Sequence, residues 1–146
     1  MSQANKLYNA EDQVPYLYKG PMFSTLDDAL YRLRNIVRSQ SYTKLKVRPP
    51  WKIQFVEPQV RWCARYLPLT KTIQMTPNGR RDLVLLHELA HHVWYQKYPY
   101  RSFFMDAHGS RYAGIYIHLV REFADERYAF ADLANKFIAF GVKYQL

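Results

Sequence analysis

The chain has 146 residues, 49% of them hydrophobic, which is enough for one compact core and too little for two ordinary domains. No uncharged apolar run approaches the roughly 18 residues of a membrane span, and the opening lacks the basic flank and apolar region of a signal peptide. The single cysteine, Cys63, excludes an internal disulfide and argues against a thiolate metal site. We therefore expect one domain over residues 1–146, in the cytoplasm and without membrane contact.

The net charge of +9 is concentrated in the first part of the chain. Region 32–81 contains 12 basic residues and one acidic residue, Glu57, and aromatic residues are interleaved with them: Tyr42, Trp51, Phe55, Trp62 and Tyr66. Such a region could bind phosphates and stack on bases, which makes nucleic acid a candidate partner. The favoured alternative is a solvated basic surface whose aromatic residues turn into the core, because dispersed charge usually serves solubility.

The first regular element along the chain is a predicted amphipathic helix over residues 25–40, after an irregular opening that contains Pro15 and Pro21. Ser24 is followed three positions later by Asp27, as in a capping box. Apolar residues then recur at helical spacing: Leu26, Leu30, Leu33 and Val37.

Three short strands are predicted after this helix, because Pro49 and Pro50 prevent its continuation. Apolar and polar residues alternate in WKIQFVE and in VRWCARY, which is typical of half-buried strands. A third strand, KTIQMT, ends at the turn signal Pro77-Asn78-Gly79. Together with the helices on both sides, these segments predict an α+β fold with a small three-stranded sheet.

A second helix is predicted from Leu83 to about Gln96, with Asp82 as its N-cap. Its apolar residues occupy nearly every face, as expected for a helix that passes through the core. At about 100° per residue, His87 and His91 lie on one face, one turn apart, so both imidazoles can bind a single ion. His92 is rotated away and cannot join them.

The segment HELAH is therefore an HExxH motif on a helix. Neutral imidazole is a good ligand for Zn²⁺, and Glu88, which flanks the two histidines, can act as general base towards a water molecule that the metal activates. The alternative is that His87 and His91 are ordinary core histidines. That alternative is disfavoured because burying two histidines and a glutamate together without a metal is costly.

A catalytic zinc ion needs a third protein ligand, and the downstream candidates are His108, His118, Glu122 and Glu126. The pattern from 110 onward predicts a helix, and His118 and Glu122 lie on its polar side together with Arg111, Gly114, Arg121 and Asp125. This position predicts that His118 points to solvent. His108 precedes Gly109 at the start of that helix, where a loop residue can fold back over the HExxH helix, and it is the favoured third ligand.

These motifs resemble a known family. HELAHH, followed seventeen residues after His91 by the histidine of DAHGSRYAGIYIHLVREF, is similar to the HExxH plus HGxx(F/Y) signature of SprT-like zinc metalloproteases. The whole chain more closely resembles a family of actinobacterial and actinophage metallohydrolases, from QANKLYNAED and TLDDA to AHGSRYAGIY and FIAFGVKY. The resemblance implies a minimal zincin-like domain that holds one zinc ion through His87, His91 and His108. It also implies that Glu88 is the catalytic acid/base and that Tyr112 packs against the His108 loop.

We therefore predict a zinc-dependent peptidase. Two alternatives stay open: a nucleic-acid-associated SprT-like protease, and a non-catalytic binding module that zinc stabilises. An extended peptide could pair with the strand KTIQMT, which precedes the HExxH helix. Asp106 could orient a ligand imidazole, although a solvated aspartate is favoured. The segment 99–109 could be a lid or simply packed.

Overall fold

A computed structural model of the chain describes residues 2–14, 21–50, 52–99, 108–124 and 129–145. In these ranges lie the helices α1 (Gln3–Asp12), α2 (Leu26–Val37), α3 (Gln40–Thr43), α4 (Asp82–Lys97), α5 (Ser110–Phe123) and α6 (Ala129–Ala139). The strands are β1 (Lys52–Phe55), β2 (Ala64–Leu67) and β3 (Thr72–Met75), and a short 3-10 helix spans Pro77–Gly79. The predicted α+β class is confirmed. None of the helices in these ranges has the length and apolar character needed to cross a membrane.

The three strands form a mixed sheet in the order β1-β3-β2. β1 runs parallel to β3 and β2 runs antiparallel to it, with both Ile53 and Tyr66 opposite Ile73. KTIQMT therefore has neighbours on both sides, and the prediction that it offers a free edge to a peptide is wrong. The second strand is also shorter than VRWCARY, because the Thr76 hydroxyl binds the carbonyl oxygens of Trp62 and Cys63 where the pairing ends.

Helix α1 was not predicted, because the opening of the chain was expected to be irregular. The Ser2 hydroxyl accepts a hydrogen bond from the Asn5 N–H and caps the helix. Leu7 and Ala10 are fully buried, and the helix packs against α6. Its buried side also includes a charged residue, Glu11, which weakens the apolar pattern that identifies helices in a sequence.

The helix predicted over residues 25–40 is two helices. Its capping box is formed by Thr25 and Asp28, one residue later than predicted. The first helix ends at Val37, and Ser39 starts the next, because its hydroxyl accepts from the Tyr42 N–H and donates to the Ile36 carbonyl.

Helix α4 passes through the core as predicted: the side chains from Leu83 to Trp94 are buried, except that of His91, which is half-buried. The helix packs against α5 and β2. Its N-cap is Arg81, and the predicted cap, Asp82, is its first residue and pairs with Arg32 at 2.7 Å. Because α4 is surrounded, its polar side chains contact the elements around it and can form a site.

Candidate metal centre

Three histidines meet between α4 and the start of α5. His87 and His91 come from α4, and His108 lies two residues before Ser110, where α5 begins. One ring nitrogen of each histidine lies within 4.8 Å of the corresponding nitrogen of the other two. The structure thus brings together the three residues that the sequence predicted as metal ligands, and they could hold a metal ion.

Tyr112, on α5, packs beneath the three histidines and is fully buried. Its ring stacks on that of His91, with centroids 4.4 Å apart, and lies 5.0 Å from the ring of His108. Its hydroxyl donates to the His87 carbonyl oxygen at 3.0 Å. These contacts hold the α4 histidines and His108 against one another.

Glu11, on α1, orients His87 and was missed in the sequence. The Nδ1–H of His87 donates to Oε2 of Glu11 at 3.0 Å, and the Tyr116 hydroxyl donates to the same oxygen at 3.3 Å. With Nδ1 engaged, Nε2 is the nitrogen of His87 that remains for a metal. The signal was present but weak: Leu7, Ala10 and Val14 recur at helical spacing, and this spacing places Glu11 on the buried side.

The surroundings of the site shift the pKa values of His87 and His91 in opposite directions. Burial disfavours protonation of His87, but the charge and hydrogen bond of the Glu11 carboxylate outweigh it and raise the pKa of His87 to about 9. Burial, helped by the charges of His87 and His108, lowers the pKa of His91 well below its usual value. His91 therefore carries a neutral imidazole, the form that binds metals, whereas a metal that binds His87 must displace a proton.

Glu88 lies beside the histidines and is almost fully buried. Burial raises the pKa of its carboxyl group to about 7, although the charge of His87 and a hydrogen bond from the Tyr66 backbone N–H act in the opposite direction. A carboxyl group with this pKa can both accept and release a proton near neutral pH, which is what a general acid/base requires.

His92 points away from the triad, as the helical geometry predicted. Its Nε2–H donates to the Arg48 carbonyl oxygen at 2.6 Å, and its Nδ1 accepts from the Tyr66 hydroxyl at 2.7 Å. Tyr66 thus joins two residues of α4, since its backbone N–H reaches Glu88 and its hydroxyl reaches His92. The last histidine of HELAHH, His92, thus fixes β2 against the HExxH helix.

The other ligand candidates lie elsewhere or cannot be placed. His118 is half-buried and lines a separate cavity of about 370 Å³ with Leu45 and Gln145, so it is partly exposed to solvent and does not join the triad. Gly114, also predicted on the polar side, is buried by the Gln145 carbonyl. Glu122 is exposed and accepts from Ser41 at 3.3 Å. Outside the described residues lie Asp106, Asp125, Glu126 and most of the segment 99–109.

A cleft of about 290 Å³ leads to His87 and Glu88. One wall is formed by α1 and α4, with Tyr8, Glu11 and Val84, and the other by residues 61–64. The residues at the site are therefore not sealed in the core. This accessibility separates the site from a purely structural one, whose metal ligands are closed off.

The outer edge of β2 borders the cleft. The Thr76 N–H donates to the Cys63 carbonyl oxygen at 2.9 Å, so these opposed residues form a hydrogen-bonded pair. In an antiparallel ladder, hydrogen-bonded pairs alternate with pairs that are not hydrogen-bonded. Ala64 and Tyr66 belong to pairs of the second kind, so their N–H and C=O groups are directed away from β3. The Tyr66 N–H meets Glu88, whereas Ala64 lines the cleft.

Four of the five aromatic residues of region 32–81 lie among the described residues, and all four contact other parts of the fold. Tyr42 is buried, and Phe55 and Tyr66 are half-buried against the core. Arg65 lies over the Trp62 ring and Arg80 over that of Phe55, at 4.4 and 4.3 Å. Trp51 lies outside the described residues. This arrangement agrees with the favoured interpretation of the region as a basic surface over an aromatic core.

The donors at the site fit a divalent cation. Three imidazole nitrogens converge next to two buried carboxylates, Glu11 and Glu88. Oε1 of Glu11 is buried and has no hydrogen-bond partner among the described residues. A cation held by His87, His91 and His108 would offset this buried negative charge, which is otherwise costly.

Removing the charge of Glu11 is expected to weaken metal binding. Glu11→Gln keeps an acceptor for the His87 Nδ1–H but not the carboxylate, and loss of such a partner typically lowers metal affinity about 10- to 100-fold. Titration of the metal-free protein with zinc against a competing chelator measures the change, with the exposed Glu122→Gln as matched control. An affinity equal to that of the control would contradict the role given to Glu11.

Comparisons of the chain with protein-family models, with curated proteins and with solved structures find no match in any of the three. The resemblance to SprT-like metalloproteases and to the metallohydrolase family thus stays a prediction. What the molecule can do is argued below from its own residues.

Proposed function

We propose that the protein is a zinc-dependent metallohydrolase, a minimal zincin-like peptidase of the SprT-like type. The observation that carries this proposal is the convergence of His87, His91 and His108 beside Glu88, whose pKa is about 7, at the end of a cleft. A metal triad, a proton carrier and a path for substrate are the three parts that hydrolysis of this kind needs.

Zinc is the metal that the donors favour. Three histidine nitrogens form a known set of ligands for catalytic zinc, which leaves a further coordination position for water or substrate. His87, His91 and His108 would hold the ion, one per chain, and Glu11 would keep the His87 ring in position. When bound, zinc lowers the pKa of water and polarises a carbonyl group.

Glu88 carries the proton in this proposal. Its carboxylate takes a proton from the attacking water, whose oxygen forms a bond to the carbonyl carbon of the scissile peptide. The C–N bond then breaks, its electron pair goes to nitrogen, and Glu88 delivers the proton to the leaving amine. The Tyr66 N–H and the surrounding core hold the carboxylate in one place during both transfers.

The substrate is an extended peptide that pairs with β2. Ala64 lines the cleft and directs its N–H and C=O groups away from β3, and such groups at a sheet edge bind peptides by adding a strand. β2 thus takes the role that the sequence had suggested for KTIQMT. Side chains of the peptide would lie near Arg61, Trp62 and Val84, which line the same cleft.

A non-catalytic module that zinc stabilises is the less supported alternative. Structural zinc sites are closed by four protein ligands and have no use for a proton carrier. The present site has three candidate ligands among the described residues, a buried glutamate with a raised pKa, and a cleft. These features favour catalysis.

Metal removal tests the proposed function. The purified protein is expected to contain about one zinc ion per chain, as a single three-histidine site requires, and to cleave members of a peptide library. Treatment with a chelator should abolish cleavage, and stoichiometric zinc should restore it. Full cleavage by the metal-free protein, or no binding of zinc at micromolar concentration, would contradict the proposal.

A further inference from the structure

We propose that Tyr8 is a catalytic residue of this site, and that its hydroxyl donates a hydrogen bond to the carbonyl oxygen of the scissile bond as that oxygen gains negative charge. This role rests on the proposed function. It adds a residue from α1, far from the HExxH motif in sequence, to the residues that contact the substrate.

Tyr8 lies directly beside the triad. Its hydroxyl is 3.1 Å from Nε2 of His108, and its ring centroid is 5.0 Å from that of His108 and 6.2 Å from that of His87. It also lines the cleft together with Glu88. The hydroxyl is therefore close to one of the predicted metal ligands, and Tyr8 borders the same cleft as the proton carrier.

Four tyrosines of the described residues lie near the site, and three already have fixed roles. The Tyr112 hydroxyl donates to the His87 carbonyl, that of Tyr116 to Glu11, and that of Tyr66 to His92. Tyr112 and Tyr116 are fully buried, whereas Tyr8 is 43% exposed. Tyr8 is thus the tyrosine whose hydroxyl a substrate in the cleft can reach.

Metal binding changes the partner of this hydroxyl. A histidine nitrogen that is a metal ligand has neither a hydrogen to donate nor a lone pair left to accept. With Nε2 of His108 as the ligand atom, that nitrogen no longer pairs with the Tyr8 hydroxyl, and a carbonyl oxygen of a substrate in the cleft can accept from the hydroxyl instead. The phenolic O–H of tyrosine is a hydrogen-bond donor.

Helix α1 holds this hydroxyl in place. Leu7 and Ala10 anchor the helix in the core, and Glu11, three residues after Tyr8, is bonded to His87. Residues three apart lie on the same side of a helix, so the contact that orients His87 also aims Tyr8 at the site. A donor positioned in advance stabilises the developing charge without reorganisation, which is the main requirement for such a group.

The substitution Tyr8→Phe, with Tyr31→Phe as matched control, tests this role. Tyr31 is 64% exposed on α2 and is not a lining residue of the cleft. In the zinc-loaded protein, Tyr8→Phe should lower kcat about 10²-fold, as loss of one such donor does elsewhere, with little change in KM. Zinc affinity, measured by chelator competition, should stay within about threefold, because Tyr8 is not a ligand in this proposal.

A second measurement does not depend on turnover. A peptide phosphinate with the sequence of a cleaved peptide carries a tetrahedral anion, and its affinity for the zinc-loaded protein should fall about 10²-fold in Tyr8→Phe. The product peptide should bind as it does to the wild type. Unchanged kcat and phosphinate affinity would overturn the role of Tyr8, and so would a parallel loss of zinc affinity. A wild-type protein that does not cleave peptides would instead contradict the proposed function itself.

Discussion

Glu88→Gln should reduce kcat by about 10²- to 10⁴-fold, the range that a general acid/base contributes, while the protein keeps its zinc. Glutamine has nearly the same shape as glutamate and retains an oxygen that can accept the Tyr66 N–H. It cannot take a proton from water. The substitution therefore removes the proton carrier and leaves the ligands His87, His91 and His108 untouched.

The measurement has two parts, zinc content and cleavage of a peptide substrate by protein that carries a full complement of zinc. Glu57→Gln is the control, because Glu57 is an exposed glutamate that pairs with Arg80 away from the triad. The control should keep both zinc and activity. Loss of zinc together with loss of the fold in Glu88→Gln would show that Glu88 is structural, and undiminished cleavage would show that another group carries the proton.

Three of the four site residues that the sequence predicted are placed by local geometry, and the fourth, His108, comes from the segment before the next helix. His87, Glu88 and His91 are within one turn of a helix, so the period of the helix alone places them together. The same period directs His92 away from them. The structure confirms this, because His92 forms hydrogen bonds with Tyr66 and Arg48 instead. The apolar surroundings of α4, which raise the pKa of Glu88, were also evident in the sequence.

The part that was missed depends on contacts between distant segments. Glu11 is 76 residues from His87 in the chain, and Tyr8 is 100 residues from His108. The spacing of residues along a single helix or strand gives no information about such contacts. The weak apolar pattern of α1 hid even the helix that makes them, since the helix buries a carboxylate where an apolar residue would be expected. A polar residue that breaks an apolar stripe can thus mark a residue of the site.

The order of the strands also lay beyond local patterns. Alternation of apolar and polar residues predicts strands but does not tell which of them is central. In the structure β3, the last strand in the sequence, pairs with both β1 and β2 and therefore lies between them. The edge at the cleft is therefore that of β2, and the same strand supplies the N–H that Glu88 accepts.

His108→Ala is expected to lower zinc affinity by more than about 100-fold, because loss of a residue that merely orients a ligand already costs 10- to 100-fold. His108 supplies one of the three nitrogens that lie within 4.8 Å of one another. Alanine leaves two ligands, both from α4. Competition with chelators of graded affinity measures the loss.

Two further histidines serve as controls and separate ligation from packing. His118→Ala removes a half-buried imidazole from the other cavity and should leave zinc affinity unchanged. His92→Ala leaves the Tyr66 hydroxyl and the Arg48 carbonyl without their partner, so it should lower the free energy of unfolding by about 1–3 kcal/mol with a smaller effect on zinc affinity. If His118 were the third ligand, His118→Ala would lower zinc affinity more than His108→Ala does. Because His108→Ala should lower zinc affinity far more than His92→Ala does, this comparison shows whether HELAHH and the histidine before α5 form one metal site.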